Sequence, residues 1–370
     1  MSRSGKGLPE ILEKGRPLQV GFIPDADCAP LIFARESGLF EKYELDVDLH
    51  RETTWANIRD KVIQGDLDAT QAPATLPFVA NLGLDSDQCA CVAGLVLNLH
   101  GCAITVSREL WDQGVREADT LRDLVYRNWG RRTYTFGVVF PYSPPYFLLR
   151  QWLAAGGFVG REVRIVVLPS AQMFPTLRLG YIDGYCAGEP WTSLAVEAGA
   201  GACVASSGDL APLHPGKVLM VRRDFALERA GEHERLAAAL LEACVFCDQP
   251  GNRPLLADML SQAHYVNAPA DCLKPVTAET AVSTGAPPRG DAGGNIFHRY
   301  NANDPTVEKA EWLVSRLYDL IDESILKYPL IERTPMFKNV FRRDIFDRAR
   351  ALVRKQARAT QAEAENYTTA

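Results

Sequence analysis

The sequence predicts an α/β fold of two lobes, each a mainly parallel sheet flanked by helices. Three observations lead to this prediction. The chain has 370 residues, of which 47% are hydrophobic, and this is enough for more than one core. Segments with alternating apolar residues are separated by segments of helical periodicity, which is typical of strands joined by crossover helices. A strand expected at 217–222 returns to the first unit after a second one, so that two crossings join the lobes.

The individual elements are predicted from apolar periodicity and from the turn residues between segments. Strands are expected at 18–23, 45–49, 66–69, 91–97, 102–107, 135–139, 163–168, 184–187 and 217–222. Helices are expected at 29–37, 56–64, 73–82, 110–114, 120–129, 146–155, 171–180, 233–247, 253–261 and 307–321. Lobes of this kind bind ligands in the cleft at the carboxyl ends of their strands.

The helix at 56–64 has the most clearly marked ends. Thr53 and Thr54 stand at the N-cap position, and Gly65 closes the last turn. A helix N-terminus exposes unpaired N–H groups and the positive end of the helix dipole, so it can hold a small anion. Trp55 lies on this first turn and offers an indole N–H donor beside an apolar ring. Burial in a core is the alternative for this tryptophan.

Both ends of the chain and one long segment are predicted to lie outside the compact lobes. Residues 1–17 are polar and are expected to be flexible. Residues 280–305 are rich in Gly, Pro and Asn, which indicates a loop on the surface. Residues 342–361 combine basic and apolar side chains at helical spacing, and 362–370 are expected to form a disordered tail.

Composition limits the kinds of partner. The formal net charge of -6 gives no broad positive field for nucleic acid or an anionic membrane, so an anion site must be local. The nine cysteines lack the even framework of a secreted scaffold, which indicates reduced thiols. The sequence shows no signal peptide and no stretch near the ~20 apolar residues of a membrane span. It therefore predicts a cytoplasmic protein, or a periplasmic or membrane-attached one if an export signal was trimmed.

Six motifs keep both their sequence and their order along the chain. They are GFIPDADCAPLIFARESGLF (21–40), TTWANIRDKVIQGDLDA (53–69), NLHGCAIT (98–105), RQWLAAGG (150–157), CAGEPW (186–191) and HPGKVLMVRRDF (214–225). Together they resemble the nitrate and bicarbonate solute-binding proteins of ABC transporters, a family that includes cytosolic nitrate-sensing relatives. The resemblance implies a type II periplasmic-binding-protein fold. It assigns 18–106 and 217–330 to lobe one, 107–216 to an inserted lobe two, and 331–370 to C-terminal helices and the tail.

The resemblance also implies a binding site for one small planar anion. Carried over to matching positions, the contacts are Trp55, Cys102, the backbone of Ala187 and Gly188, and Lys217, whose ammonium would balance the charge of the anion. A buried anion needs such a compensating charge.

The sequence departs from the family at two positions of this site. Cys102 replaces an amide side chain, and the segment where uptake-type relatives place a histidine reads FPYSPPY (140–146), in which Pro145 offers no side-chain donor. Tyr142, Ser143 or Tyr146 is therefore expected to replace the histidine. Gln71 and Glu189 are further candidates. No catalytic residue, metal or cofactor is expected.

The predicted function is that of a binding protein, not an enzyme. Nitrate or nitrite is the expected ligand, and another small organic anion is an alternative. The resemblance implies either an ABC permease or a cytosolic antiterminator-type regulator as the partner, without direct contact to nucleic acid. A second alternative is an enzyme of the thiamine-pyrimidine-synthesis type, a class that shares this fold; Glu189 is then the acid candidate.

Overall fold

The computed structural model describes residues 16–160, 162–274, 294–321 and 333–368. The strands are β1 (Leu18–Phe22), β2 (Val47–Arg51), β3 (Ala69–Pro73), β4 (Cys91–Leu99), β5 (Cys102–Ser107), β6 (Tyr134–Val138), β7 (Val163–Val167), β8 (Gly184–Gly188), β9 (Gly201–Ser206) and β10 (Pro215–Arg222). Positions 1–15 of the predicted flexible segment 1–17 lie outside the described residues.

Helices cover both sheets. They are α1 (Ala29–Glu36), α2 (Leu39–Lys42), α3 (Trp55–Gln64), α4 (Leu76–Leu82), α5 (Arg108–Asp112), α6 (Ala118–Arg127), α7 (Pro144–Ala155), α8 (Met173–Arg178), α9 (Trp191–Glu197), α10 (Ser207–Leu210), α11 (Arg223–Glu228), α12 (Ala230–Cys247), α13 (Arg253–Ser261), α14 (Ala270–Leu273), α15 (Val307–Tyr318), α16 (Arg333–Val340) and α17 (Arg343–Thr368). In the described part of the chain, no helix is both long and apolar enough to cross a membrane.

Each lobe is built on a five-stranded sheet. The first has the order β2-β1-β3-β10-β4 and the second the order β7-β6-β8-β5-β9. In the first, β1 runs parallel to β2 and β3, while β10 is antiparallel to β3 and β4. In the second, β6 runs parallel to β7 and β8, while β5 is antiparallel to β8 and β9. The predicted two-lobed α/β class is confirmed, and each sheet is mixed, with four strands in one direction and one antiparallel strand, β10 or β5, inserted among them.

Two short backbone crossings connect the lobes. The first, between β4 and β5, uses positive φ angles at His100 (61°) and Gly101 (93°). A Cβ atom at Gly101 would lie 2.0 Å from the Asn295 side-chain oxygen, so only glycine fits there. The second crossing connects β9 to β10 and has a positive φ at Leu213.

The crossings correct the predicted lobe boundaries. Residues 102–106 were assigned to lobe one, but they form β5 and pair with β8 and β9 in the second sheet. The return to lobe one comes earlier than the predicted 217, because β10 begins at Pro215. The bend at His100 and Gly101 turns the chain into the second sheet before Cys102.

Several elements lie at different positions from those predicted. The second strand, expected at 45–49, is Val47–Arg51, and the third, expected at 66–69, is Ala69–Pro73. Helix α4 consequently begins at Leu76 and not at 73. Helix α8 is shorter than 171–180 because its first turn is a 3-10 helix. Strand β9 was not predicted, because its sequence GACVAS lacks large alternating apolar residues.

The C-terminal part of the chain also differs from the prediction. Positions 280–293 of the predicted loop lie outside the described residues, but Asn295, Asn303 and Asp304 are buried, and Ile296 forms a β-bridge with Leu99. This part of the loop therefore belongs to the core of lobe one. Helix α17 continues through 362–368, where a tail was predicted, because Ala and Glu favour a helix even where the sequence is polar.

Apolar cores lie on both faces of the first sheet and within lobe two. One core joins β1 and β4 to α1, α12 and α17. A second includes Trp55 and Val218 of lobe one together with Tyr185 and Trp191 of lobe two. Because this core continues from one lobe into the other, the two lobes are closed on each other.

Candidate functional site

A small cavity lies between the lobes, next to both crossings. Its volume is ≈ 20 Å³, which is room for about one water molecule. It is lined by Asp25, Asp27, His100, Gly101, Cys102, Val139, Pro144, Pro145, Gly188, His214, Gly216 and Lys217. Both lobes contribute to its wall, as expected for a ligand site in a two-lobed α/β protein.

Lys217 is the ammonium group of this site. It lies on β10, is 9% exposed, and forms an ion pair with Asp27. Its Nζ atom lies 5.3 Å from the centroid of the Trp55 ring. Burial alone would lower the pKa of Lys217, but the carboxylates of Asp27 and Asp25 outweigh burial and raise it. Lys217 is therefore charged.

The pairing of Lys217 corrects one prediction. The sequence indicated an ammonium free to balance a ligand, but Asp27 already provides a counter-charge. Gln71 donates a hydrogen bond from Nε2 to the other oxygen of Asp27. The two oxygens of Asp27 are thus shared between an amide and an ammonium.

Asp25 connects the lobes. The loop after β1 places this residue of lobe one in the cleft, where it is 1% exposed. Its Oδ1 accepts a hydrogen bond from Trp191 Nε1 at 2.7 Å, and its Oδ2 accepts one from Ser170 Oγ at 3.1 Å. Both donors belong to lobe two. Burial, together with the nearby charge of Asp27, raises the pKa of Asp25 to about 6, although Lys217 opposes this shift.

Trp55 and Gln71 carry polar atoms that lack partners. Trp55 is the first residue of α3, and Thr54 caps this helix by accepting a hydrogen bond from Asn57 N at 3.1 Å. Within the described part of the chain, Trp55 Nε1 and Gln71 Oε1 are buried and have no hydrogen-bond partner. Neither residue lines the small cavity itself. The structure therefore places one unused donor and one unused acceptor next to the Asp27–Lys217 pair.

Cys102 and Gly188 line the cavity as the resemblance implied. A hydrogen bond with the Cys186 thiol lowers the pKa of Cys102 to about 5; burial opposes this, and the neighbouring His214 adds to it. Gly188 lies beside Asp25, and a Cβ there would be in ordinary van der Waals contact with the carboxylate at 3.6 Å. Ala187 pairs with Ala103 in the sheet and is not part of the cavity wall.

Tyr142 and Ser143 lie outside the cavity wall. Ser143 caps α7: its hydroxyl accepts from Tyr146 N at 3.4 Å and donates to Phe140 O at 2.7 Å. Tyr142 packs edge-on against Phe140 at 5.9 Å, and burial raises its pKa to about 12. The next residues, the two prolines of α7, line the cavity instead. Tyr142 and Ser143 as ligand contacts therefore remain a prediction; in this closed form the cap of α7 takes the hydroxyl of Ser143.

Glu189 has a structural position next to the site. Its carboxylate accepts a hydrogen bond from Ser193 N at 3.0 Å, and its backbone oxygen accepts one from Ala26 N at 2.7 Å. Burial raises the pKa of Glu189 to about 7. It is not part of the cavity wall, so it helps to join the lobes and to order α9.

Four charged or titratable residues of the cavity were missed from the sequence. They are Asp25, Asp27, His100 and His214. His214 Nδ1 donates to Ala211 O at 2.8 Å, while its buried Nε2 has no partner among the described residues. Asp25 and Asp27 follow directly after the strand predicted at 18–23, and this position could have indicated them. Across the described residues, no group of three or more His, Cys, Asp or Glu side chains could hold a metal ion.

Comparisons with known proteins agree with this architecture. The chain is similar to the bicarbonate transport ATP-binding protein CmpC of Synechococcus elongatus, with 36% identity over 303 residues, which are 81% of this chain and 44% of CmpC. It thus spans less than half the length of that relative. It is also similar to the bicarbonate-binding protein CmpA of the same organism, with 32% identity over 282 residues, or 73% of this chain and 62% of CmpA.

A solved structure supports the fold. The crystal structure of the periplasmic nitrate-binding protein NrtA from Synechocystis matches with a TM-score of 0.84 and 24% identity, over 91% of this chain and 89% of that one. The predicted resemblance to nitrate and bicarbonate solute-binding proteins is confirmed. A model of the NMT1-like family matches residues 13–261, and the chain therefore belongs to the NMT1-like family.

Proposed function

We propose that this chain is a solute-binding protein that closes its two lobes on a small planar oxyanion, with nitrate or nitrite as the expected ligand. The observation that carries the proposal is the position of Lys217: a charged ammonium lies at the junction of the lobes, 5.3 Å from the ring of Trp55. The names of CmpA, a bicarbonate-binding protein, and NrtA, a nitrate-binding protein, support the same ligand class.

The donors around Lys217 suit such a ligand. An ammonium has three N–H donors, and among the described residues Lys217 Nζ donates one hydrogen bond, to Asp27. The indole N–H of Trp55 is a second unused donor. An anion with three oxygen atoms does not fit the ≈ 20 Å³ cavity, so entry requires the lobes to separate. Binding then shifts the population between open and closed forms.

Hydrogencarbonate is the second candidate ligand. Gln71 Oε1 is a buried acceptor without a partner in the described part of the chain, and Asp27 fixes the orientation of this amide. Nitrate has no N–H or O–H group and leaves such an acceptor unsatisfied, which costs free energy. An oxyanion with its own O–H can donate to it.

An ABC permease is the proposed partner, because CmpC is named as an ATP-binding protein of bicarbonate transport. A cytosolic regulator is the alternative partner. Localisation of the protein expressed from its native reading frame separates the two. Recovery from the periplasm or from the outer face of the membrane supports the permease as partner. Recovery from the cytosol supports the regulator.

The geometry favours binding over catalysis at this site. The carboxylate of Glu189, the acid candidate for an enzyme, accepts a hydrogen bond from Ser193 N in the first turn of α9, and Glu189 is not part of the cavity wall. Turnover of a pyrimidine or pyridoxal compound that Glu189→Gln abolishes would contradict this interpretation.

Isothermal titration with nitrate, nitrite, hydrogencarbonate and cyanate tests the proposal. We expect saturable one-to-one binding of at least one planar oxyanion, and weaker binding of chloride as a spherical control. Absence of binding for all four anions would overturn the proposed function.

A further inference from the structure

Asp25 has no role in the oxyanion contacts described above, yet it occupies the cavity wall. Its two oxygens accept hydrogen bonds from Trp191 at 2.7 Å and Ser170 at 3.1 Å, both in lobe two. The closed form of the protein therefore holds a carboxylate where an oxyanion is to bind. Two like charges at such close range in a buried site repel each other strongly.

The other groups around Asp25 leave its charge unbalanced. Those that face it are Asp27 and Cys28 from its own loop, Lys217 from β10, His100 and His214 from the crossings, Cys102 from β5, and Glu189 before α9. Lys217 pairs with Asp27.

The remaining groups do not supply a positive charge for Asp25 either. Cys102 and His214 are neighbours, and a hydrogen bond with Cys186 favours the thiolate of Cys102 by lowering its pKa, so this pair carries no net positive charge. The thiol of Cys28 is neutral, because burial raises its pKa. The Glu189 carboxylate is directed to Ser193. His100 uses Nε2 to accept a hydrogen bond from Leu213 N.

We propose that Asp25 requires one proton for each oxyanion bound: an oxyanion that carries its own hydrogen brings this proton with it, whereas nitrate binds together with a proton taken from solvent. This inference rests on the proposed function. A hydrogen-bearing oxyanion such as hydrogencarbonate donates its O–H to the Asp25 carboxylate, and no proton is taken up. Nitrate has no hydrogen, so Asp25 takes a proton from solvent before nitrate binds.

The environment of Asp25 allows this proton. Burial and the charge of Asp27 raise the pKa of Asp25 to about 6, so protonation is accessible near neutral pH. A protonated Asp25 still accepts from Trp191 through one oxygen and can donate through the other. The hydrogen bonds between the lobes are thus compatible with both protonation states.

Calorimetric titration in buffers of different ionisation enthalpy measures the proton directly. At pH 7.5 we expect wild-type protein to take up nearly one proton for each nitrate bound and close to none for each hydrogencarbonate. The affinity for nitrate is expected to fall about tenfold for each pH unit above 6, as a single required proton predicts.

Asp25→Asn is the decisive variant, because the amide keeps the shape of the side chain, accepts from Trp191 and donates to Ser170. We expect it to bind nitrate without proton uptake and with an affinity that does not change between pH 6 and 8. Asp248→Asn is the matched control: Asp248 is also buried, but it pairs with Arg299 and is not part of the cavity wall. It should behave as wild type.

Nitrate binding by wild type without proton uptake would overturn the inference and leave the proposed function intact. Proton uptake that persists in Asp25→Asn would also overturn it. Absence of binding for both anions would overturn the inference together with the proposed function.

Discussion

Three buried charged residues define this site, and each has a different task. Lys217 supplies the positive charge, Asp27 holds it in place, and Asp25 connects the lobes through Trp191 and Ser170. A buried ion pair is costly to separate, since removal of one partner leaves an uncompensated charge. The site is therefore organised before any ligand arrives.

Glu189 makes the free energy of unfolding depend on pH, and the effect of this one residue can be measured. Burial raises its pKa from 4.5 to about 7, so the folded protein disfavours the charged carboxylate. The stability that the neutral side chain of Glu189 contributes is fully present below the pKa that this group has in the unfolded chain. It is lost as the pH rises through about 7. The expected loss is on the order of 3 kcal/mol.

We predict that Glu189→Gln removes this loss, because the amide carries no charge and still accepts from Ser193. Urea unfolding should give similar stability for variant and wild type at pH 4.5, and a more stable variant at pH 8. Glu311→Gln, on the exposed side of α15, is the control and should change neither value. A variant that is less stable than wild type at pH 8 would contradict the burial argument.

Among the elements, α3 matters most to the site because it positions Trp55. Thr54 accepts a hydrogen bond from Asn57 N at 3.1 Å, which satisfies one of the free N–H groups at the start of the helix. We predict that Thr54→Ala lowers the free energy of unfolding by about 1 kcal/mol. Urea denaturation measures this change.

The exposed Thr133 lies between α6 and β6, and Thr133→Ala is the control for the loss of a threonine without the loss of a cap. It should be close to neutral. Equal effects of the two substitutions would show that the cap of α3 contributes nothing to stability.

The ends of α3 could be predicted from the sequence because both signals are local. Thr54 and Gly65 lie at the helix ends themselves. The role of Asp25 could not be predicted in the same way, because its partners Ser170 and Trp191 lie 145 and 166 positions away in the sequence. Strand β9 was missed for a related reason, since its small residues become a strand only by pairing with β5.

The motifs predicted the positions of Trp55, Cys102, Gly188 and Lys217 around the cleft, but not the charge balance there. That balance depends on Asp27, which reaches Lys217 across 190 positions of the chain. The place of Tyr142 and Ser143 outside the cavity wall could not be predicted either, because it follows from the role of Ser143 as the cap of α7. Contacts between distant residues thus account for most of what the sequence could not predict.

At the scale of the whole molecule, two kinds of contact hold the lobes together. One core continues from Trp55 in lobe one to Tyr185 and Trp191 in lobe two, and Asp25 adds polar bonds across the same cleft. The cavity that remains is ≈ 20 Å³. An anion therefore binds only after the lobes separate, and the lobes then close around it, which is the behaviour expected of a binding protein that closes by a hinge.

The ammonium of Lys217 is the centre of this account, and its removal must be balanced by removal of its partner. Lys217→Met alone leaves Asp27 buried without a counter-charge, which costs about 3–5 kcal/mol of stability. The double variant Lys217→Met/Asp27→Asn removes one positive and one negative charge together, so the net charge of the site stays as in wild type and the fold is expected to remain intact. Asp27→Asn alone leaves the ammonium without its partner and serves as the matched comparison.

The most direct measurement is isothermal titration of nitrate, and of hydrogencarbonate in parallel, into three proteins. They are wild type, the double variant Lys217→Met/Asp27→Asn and the single variant Asp27→Asn. For whichever anion binds wild type, we predict that the double variant loses about 2–5 kcal/mol of binding free energy, while Asp27→Asn binds more tightly than wild type. Equal affinity in all three proteins would show that Lys217 does not hold the anion and would contradict the account.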